Sequence, residues 1–142
     1  MSYATLKPFG KSILKGYEWN GRILKPFGHG NESGWEFDGR HLKPFGESVA
    51  RGFDWDGRIL KPHGRSIFSG YEIGADLIRP FGRSIQDGYE IKNGKCGPVA
   101  GSMERGWEWK GTIPLPVIAL VVFGLEKQDP KGGAGGIGVE SS

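Results

Sequence analysis

Leu24-Lys25-Pro26-Phe27-Gly28 is the stretch whose reading decides the fold, because the chain keeps returning to it. The same five residues stand at 6–10 and 42–46, with variants Leu60-Lys61-Pro62-His63-Gly64 and Ile78-Arg79-Pro80-Phe81-Gly82. The step is eighteen residues each time, without insertion or deletion, and it carries on to Pro98 and Pro116. A fixed period of this size marks a repeat architecture.

A second phrase fills the space between the prolines. It reads Tyr17-Glu18-Trp19-Asn20-Gly21-Arg22-Ile23 first, then Trp35-Glu36-Phe37-Asp38-Gly39-Arg40 and Phe53-Asp54-Trp55-Asp56-Gly57-Arg58-Ile59. Looser copies start at Tyr71, Tyr89 and Trp107. Aromatic, acid, aromatic is a period-two pattern, which is strand-like. Asn-Gly or Asp-Gly behind it signals a two-residue hairpin turn. Proline and glycine recur too often for helix within these units. Each unit is therefore expected to be one β-hairpin. With Asn20-Gly21 as the turn, Trp19 is expected opposite Arg22, Tyr17 opposite Leu24, and Glu18 diagonal to Lys25. Tyr17, Trp19 and Leu24 then share the face expected to be buried.

From Gly94 the repeat decays, with Cys96-Gly97-Pro98-Val99 where Leu-Lys-Pro-Phe is due, and a seventh copy begins at Pro114-Leu115-Pro116. The apolar run 113–125 is about thirteen residues, short of the ~20 that a spanning helix needs. Its β-branched content predicts a buried closing strand, with membrane insertion or partner contact as the alternative. Residues 1–125 thus form one repeat domain, and the glycine-rich 126–142 is expected to be a flexible tail.

Hairpins in series can make an open sheet, a β-solenoid or a closed ring. A left-handed β-helix needs an aliphatic residue every six, and six after Ile13 comes Trp19, then Lys25. A ring removes both sheet edges and accounts for a divergent last copy. The expected fold is all-β: a pseudo-symmetric closed ring, or shallow barrel, of eighteen-residue hairpins. The units at 17–24 and 35–42 resemble those of the bacterial β-flower proteins, and in their Tyr, Trp and Gly spacing they also resemble MORN repeats. The eighteen-residue period and the Pro-Phe-Gly phrase depart from the MORN pattern. The β-flower resemblance implies a shallow barrel of hairpin petals, distantly similar to the tubby and scramblase-like folds and sometimes attached to membranes. It implies no activity and no catalytic residue.

Bulk properties narrow the function. A net charge of +3 with acids and bases interleaved argues against nucleic-acid binding, and acids accompany every aromatic. The single cysteine, Cys96, excludes an internal disulfide and reads as a small buried apolar residue. The first ten residues lack a signal pattern, so the expected location is cytoplasmic, with membrane association possible through the features below. His29, His41 and His63 occupy three different repeat positions, so a symmetric ring is not expected to gather them, and no metal or cofactor is expected. Serines 12, 48, 66, 84 and 102 repeat as turn formers rather than nucleophiles.

Two charge rings remain. Glu18, Glu36, Asp54, Glu72, Glu90 and Glu108 form one, and Lys7, Lys25, Lys43, Lys61 and Arg79 the other. Equivalent carboxylates lack the unlike environments that acid–base catalysis needs, so no enzyme is expected. The leading expectation is a non-catalytic, membrane-peripheral binding module for lipid or another apolar ligand. Its site would pair that basic ring with Val117, Ile118, Val121, Val122 and Phe123 of the apolar run. The alternative is a multivalent carbohydrate-binding or structural interaction protein using the repeated aromatics.

Overall fold

The computed structural model describes residues 4–127. Twelve antiparallel strands close into one barrel, each bonded to its neighbours in the chain and the last to the first. They are β1 (Ala4–Pro8), β2 (Tyr17–Trp19), β3 (Ile23–Pro26), β4 (Trp35–Phe37), β5 (His41–Pro44), β6 (Phe53–Trp55), β7 (Ile59–Pro62), β8 (Tyr71–Ile73), β9 (Leu77–Pro80), β10 (Tyr89–Lys92), β11 (Lys95–Pro98) and β12 (Trp107–Lys110). The closed ring of hairpins expected from the period is thus present.

Two kinds of connection alternate around the ring, one at each end. At the first, Pro-Phe-Gly makes a turn in which Pro26 O accepts from His29 N at 3.0 Å and Gly28 sits at φ +82°. Proline presets the turn and glycine takes the left-handed position. A single 3₁₀ turn follows, capped in most repeats by a serine at the same repeat position; Ser12 Oγ, for example, accepts from Leu14 N. The chain then returns through a glycine such as Gly106, where a Cβ would lie 2.0 Å from Cys96 O.

At the other end the expected register needs correction. Trp19 faces Leu24, Glu18 faces Lys25 directly, and Tyr17 faces Pro26. The two loop residues are Gly21 and Arg22, because Asn20 N bonds Ile23 O. Asn20 is not a loop residue: its Oδ1 accepts from Arg22 N and Ile23 N at 2.9 and 2.8 Å. Gly21, at φ +102°, takes the first loop position, as glycine-first hairpins require. In the fifth unit Asn93 and Gly94 fill both loop positions, at φ +53° and +76°. The pairing moves by two residues relative to expectation, so the faces are unchanged.

The largest correction concerns 113–125. It is not a strand: Leu115–Val122 is an α-helix, α1, and Pro116 through Val122 are all buried. Its place in the ring is taken from the other terminus. Lys7 pairs with Glu108 and Leu6 with Trp109, the relation that Lys25 and Leu24 have to Glu18 and Trp19. Strand β1 therefore serves as the Leu-Lys-Pro strand of the seventh copy, and the seventh copy is released to run inside. After Ile113 the chain threads the barrel and surfaces at the Pro-Phe-Gly end, where the Phe123 ring lies tilted against Tyr71 and edge-on to Tyr89, with centroids 4.6 and 5.5 Å away.

Geometry explains why something must run there. Eight strands give a barrel that side chains alone can fill. Twelve leave a wider lumen, and an α-helix with its side chains, ~10–12 Å across, fills it. The ring Leu6, Leu24, Leu42, Leu60, Ile78 and Cys96 points inward, as do the flanking aromatics, and all pack in one cluster with α1. A helix surrounded on every side is apolar on every side, which is the composition of Val117-Ile118-Ala119-Leu120-Val121-Val122. Gly124, at φ +69°, ends it.

Leu120 is fully buried, whereas Leu14 on the first 3₁₀ turn is 77% exposed. Leu120→Ala is expected to cost ~2–5 kcal/mol of unfolding free energy and Leu14→Ala under ~0.5, measured by chemical denaturation. Equal costs would contradict the placement of α1.

Candidate functional site

The alternation that turns Leu24 inward turns Lys25 outward, so both charge rings lie on the outer wall. They are committed to the turns. Glu18 Oε2 accepts from Lys25 Nζ at 3.0 Å and from Gly28 N at 2.9 Å. Lys25 Nζ also donates to His29 O. The same staple recurs as Glu36 with Lys43 and Gly46 N, and as Glu108 with Lys7 and Gly10 N. Arg79 joins Glu72 at 3.1 Å and donates to Arg83 O at 2.8 Å. A further link crosses between repeats: Arg22 reaches Glu36 at 3.1 Å, and Arg58 reaches Glu72 at 2.7 Å.

These bonds hold the carboxyls below the usual range. For Glu18 and Glu36 the turn amide is the chief cause, then the lysine. For Glu108 it is Lys7 first, then Gly10 N, and for Glu72 it is Arg58. Glu90 stands apart. It faces Gly97, which holds the lysine slot, and makes no ion pair among the described residues.

The candidate residues of the sequence reading therefore do not share a surface. Lys7, Lys25, Lys43, Lys61 and Arg79 are on the outer wall, each beside a carboxylate. Val117, Ile118, Val121 and Val122 are buried inside, and Phe123 is half-buried against two tyrosines. No helix among the described residues is long and apolar enough to cross a membrane. The repeated aromatics are also inward: Trp19, Trp35 and Phe53 are core, with Tyr17, Phe37, Trp55, Trp107 and Trp109 packed against it. Cys96 is fully buried, and burial pushes its thiol up to about 12.

One concavity is not announced by the repeat alone. An open groove of about 620 Å³ crosses β5, β6 and β7, lined among others by Arg40, His41, Asp54, Asp56, Lys61 and His63. Three residues in it break the repeat. His41 stands in the Ile23 slot, His63 in the Phe27 slot, and Asp54 where Glu18 and Glu36 stand. The sequence reading did not expect the histidines to meet. The register places both on one groove: His41 is the backbone partner of Asp54 across β5 and β6, with its Nδ1 3.5 Å from Asp38 Oδ2. From the opposite side His63 Nδ1 lies 2.9 Å from Asp54 Oδ1. The available signal was that neighbouring repeats depart from consensus at slots which the barrel makes adjacent. Among the described residues, no three His, Cys, Asp or Glu side chains are grouped to hold a metal ion.

No protein-family model matches this sequence, and no curated protein or solved structure is significantly similar to it.

The lowered carboxyls make acid stability a test of the staples. In the unfolded chain glutamates titrate near ~4.3. Glu18, Glu36, Glu72 and Glu108 titrate lower when folded, so the unfolded chain takes up protons first as pH falls. Stability from them is present above the unfolded value and is lost as pH drops through the folded one. The melting temperature is expected to fall steeply below about pH 4, and less steeply in Glu36→Gln. An identical slope in both proteins would contradict the assignment.

Proposed function

We propose that the protein is a non-catalytic binding module whose ligand site is the groove across β5, β6 and β7. One observation carries this reading: three substitutions from different slots of the repeat, His41, Asp54 and His63, converge on one outer concavity. Repeats that serve only the barrel have no need of a local, asymmetric polar cluster. The groove is polar and charged, so a polar ligand suits it better than an alkyl chain. Kinship with the β-flower proteins belongs to the same proposal and rests on the hairpin phrase of the repeats.

A lipid ligand engaged through 113–125 is the weaker reading. It requires α1 to leave the barrel and expose side chains whose burial is worth ~1.5–3 kcal/mol each. Nor does the basic ring favour it, since its members are engaged by carboxylates next to them. A membrane-peripheral role would then have to use another surface.

The test is amide NMR of the folded chain with a small polar fragment library. Perturbations are expected at His41, Asp54, Lys61 and His63, and not at the equivalent Ile23, Glu36, Lys43 and Phe45. Perturbations spread evenly over the repeats would overturn the assignment. Vesicle flotation gives a second check, with the chain expected to stay in the soluble fraction with neutral vesicles at high salt. Salt-resistant capture by them would instead support insertion of the apolar run.

A further inference from the structure

One copy of the repeat shows most fully what the outer wall can hold. At Glu36 one carboxylate gathers three donors: Arg22 at 3.1 Å, Lys43 at 2.9 Å and Gly46 N at 2.8 Å. Eighteen residues on, the same donors stand as Arg40, Lys61 and Gly64 N, but the acid is Asp54. One methylene is missing, and the carboxylate no longer holds all three. Lys61 is left with a loose pair at 3.6 Å, against 2.8–3.0 Å for the lysine pairs at Glu108, Glu36 and Glu18. Among the described residues, Asp54 makes no bond to Arg40 or to Gly64 N. His63, in place of phenylalanine, draws Asp54 to itself at 2.9 Å.

We propose that this position is a binding site for the carboxylate of an external ligand, which takes the place that the Glu36 carboxylate has one repeat earlier. The inference rests on the groove reading above and adds the ligand class. Arg40 is exposed and Lys61 is half-buried, both on the groove wall. A guanidinium and an ammonium flank the position, and charge-assisted bonds of this kind are the strong ones. The backbone amide adds direction. The rest of the groove, about 620 Å³, gives room for the body of the ligand beyond its carboxylate. Asp56 is held to its own turn, its Oδ1 accepting from Arg58 N and Ile59 N at 2.8 and 2.7 Å.

The experiment is an NMR titration of the full chain with acetate, glutarate and inorganic phosphate, following the Gly64 amide and the Arg40 Nε–H. Saturable shifts of both with the carboxylates are expected. Asp54→Glu restores the in-chain carboxylate, so it is expected to fold and to weaken acetate binding by at least about tenfold, as is Arg40→Gln. The double variant Glu36→Asp, Phe45→His copies the site one repeat back and is expected to make the Gly46 amide respond as Gly64 does. Unmoved Gly64 and Arg40 signals, or unchanged acetate binding by Asp54→Glu, would overturn the proposal. A response to phosphate alone would also overturn the carboxylate assignment. Should neutral fragments still perturb His41 and His63 in that event, the groove survives as a site and only the ligand class fails.

Discussion

A sheet of twelve short strands can remove its edges only by closing, and once closed it surrounds more space than its own side chains can occupy. The filling of that space is the constraint on which the rest depends. It is met by α1, whose sequence belongs to the seventh copy of the repeat. The copy can leave the wall because β1 supplies the Leu-Lys-Pro strand in its stead. One exchange therefore closes the ring and fills it. It also joins residues about a hundred positions apart, so the two ends of the repeat array are held by the same ladder and the same Lys7–Glu108 bond at 2.8 Å.

The wall divides labour by strand alternation. Inward residues make a single apolar cluster around α1, and outward charges fasten the turns. A glutamate that binds a turn amide and the lysine opposite does local structural work, which is why its repetition carries no functional message. The message lies in the exceptions. Gly97 in the lysine slot leaves Glu90 unpaired among the described residues. Asp54, with His41 and His63 in the same groove, holds Lys61 only at 3.6 Å and makes no bond to Arg40 or Gly64 N among the described residues. In a pseudo-symmetric protein, the intact copies act as internal controls for the broken one.

Much of this was legible in the residues. The eighteen-residue period, the hairpin units, closure and the division of faces follow from spacing and alternation. The run after Ile113 was not, for a physical reason. Val, Ile and repeat phase favour a strand, yet intrinsic preference is weak beside all-round burial, and the lumen admits a helix. The turn register was missed because Asn-Gly has two uses: Asn20 caps with its side chain, whereas Asn93 turns with its backbone. The shared groove of His41 and His63 was missed because slots were compared within a repeat. Contacts in a barrel are made between repeats. The tail beyond Lys127 lies outside the described residues.

The most direct measurement is native-state hydrogen exchange resolved to single amides. If α1 fills the barrel, the amides of Ile118 and Phe123, bonded to Pro114 O and Ala119 O, exchange only through global unfolding. Their protection then matches that of the β1–β12 ladder at the Phe9 amide, bonded to Gly106 O at 3.0 Å. Fast exchange along α1, with the ladder still protected, would contradict the filled barrel and return 113–125 to the surface.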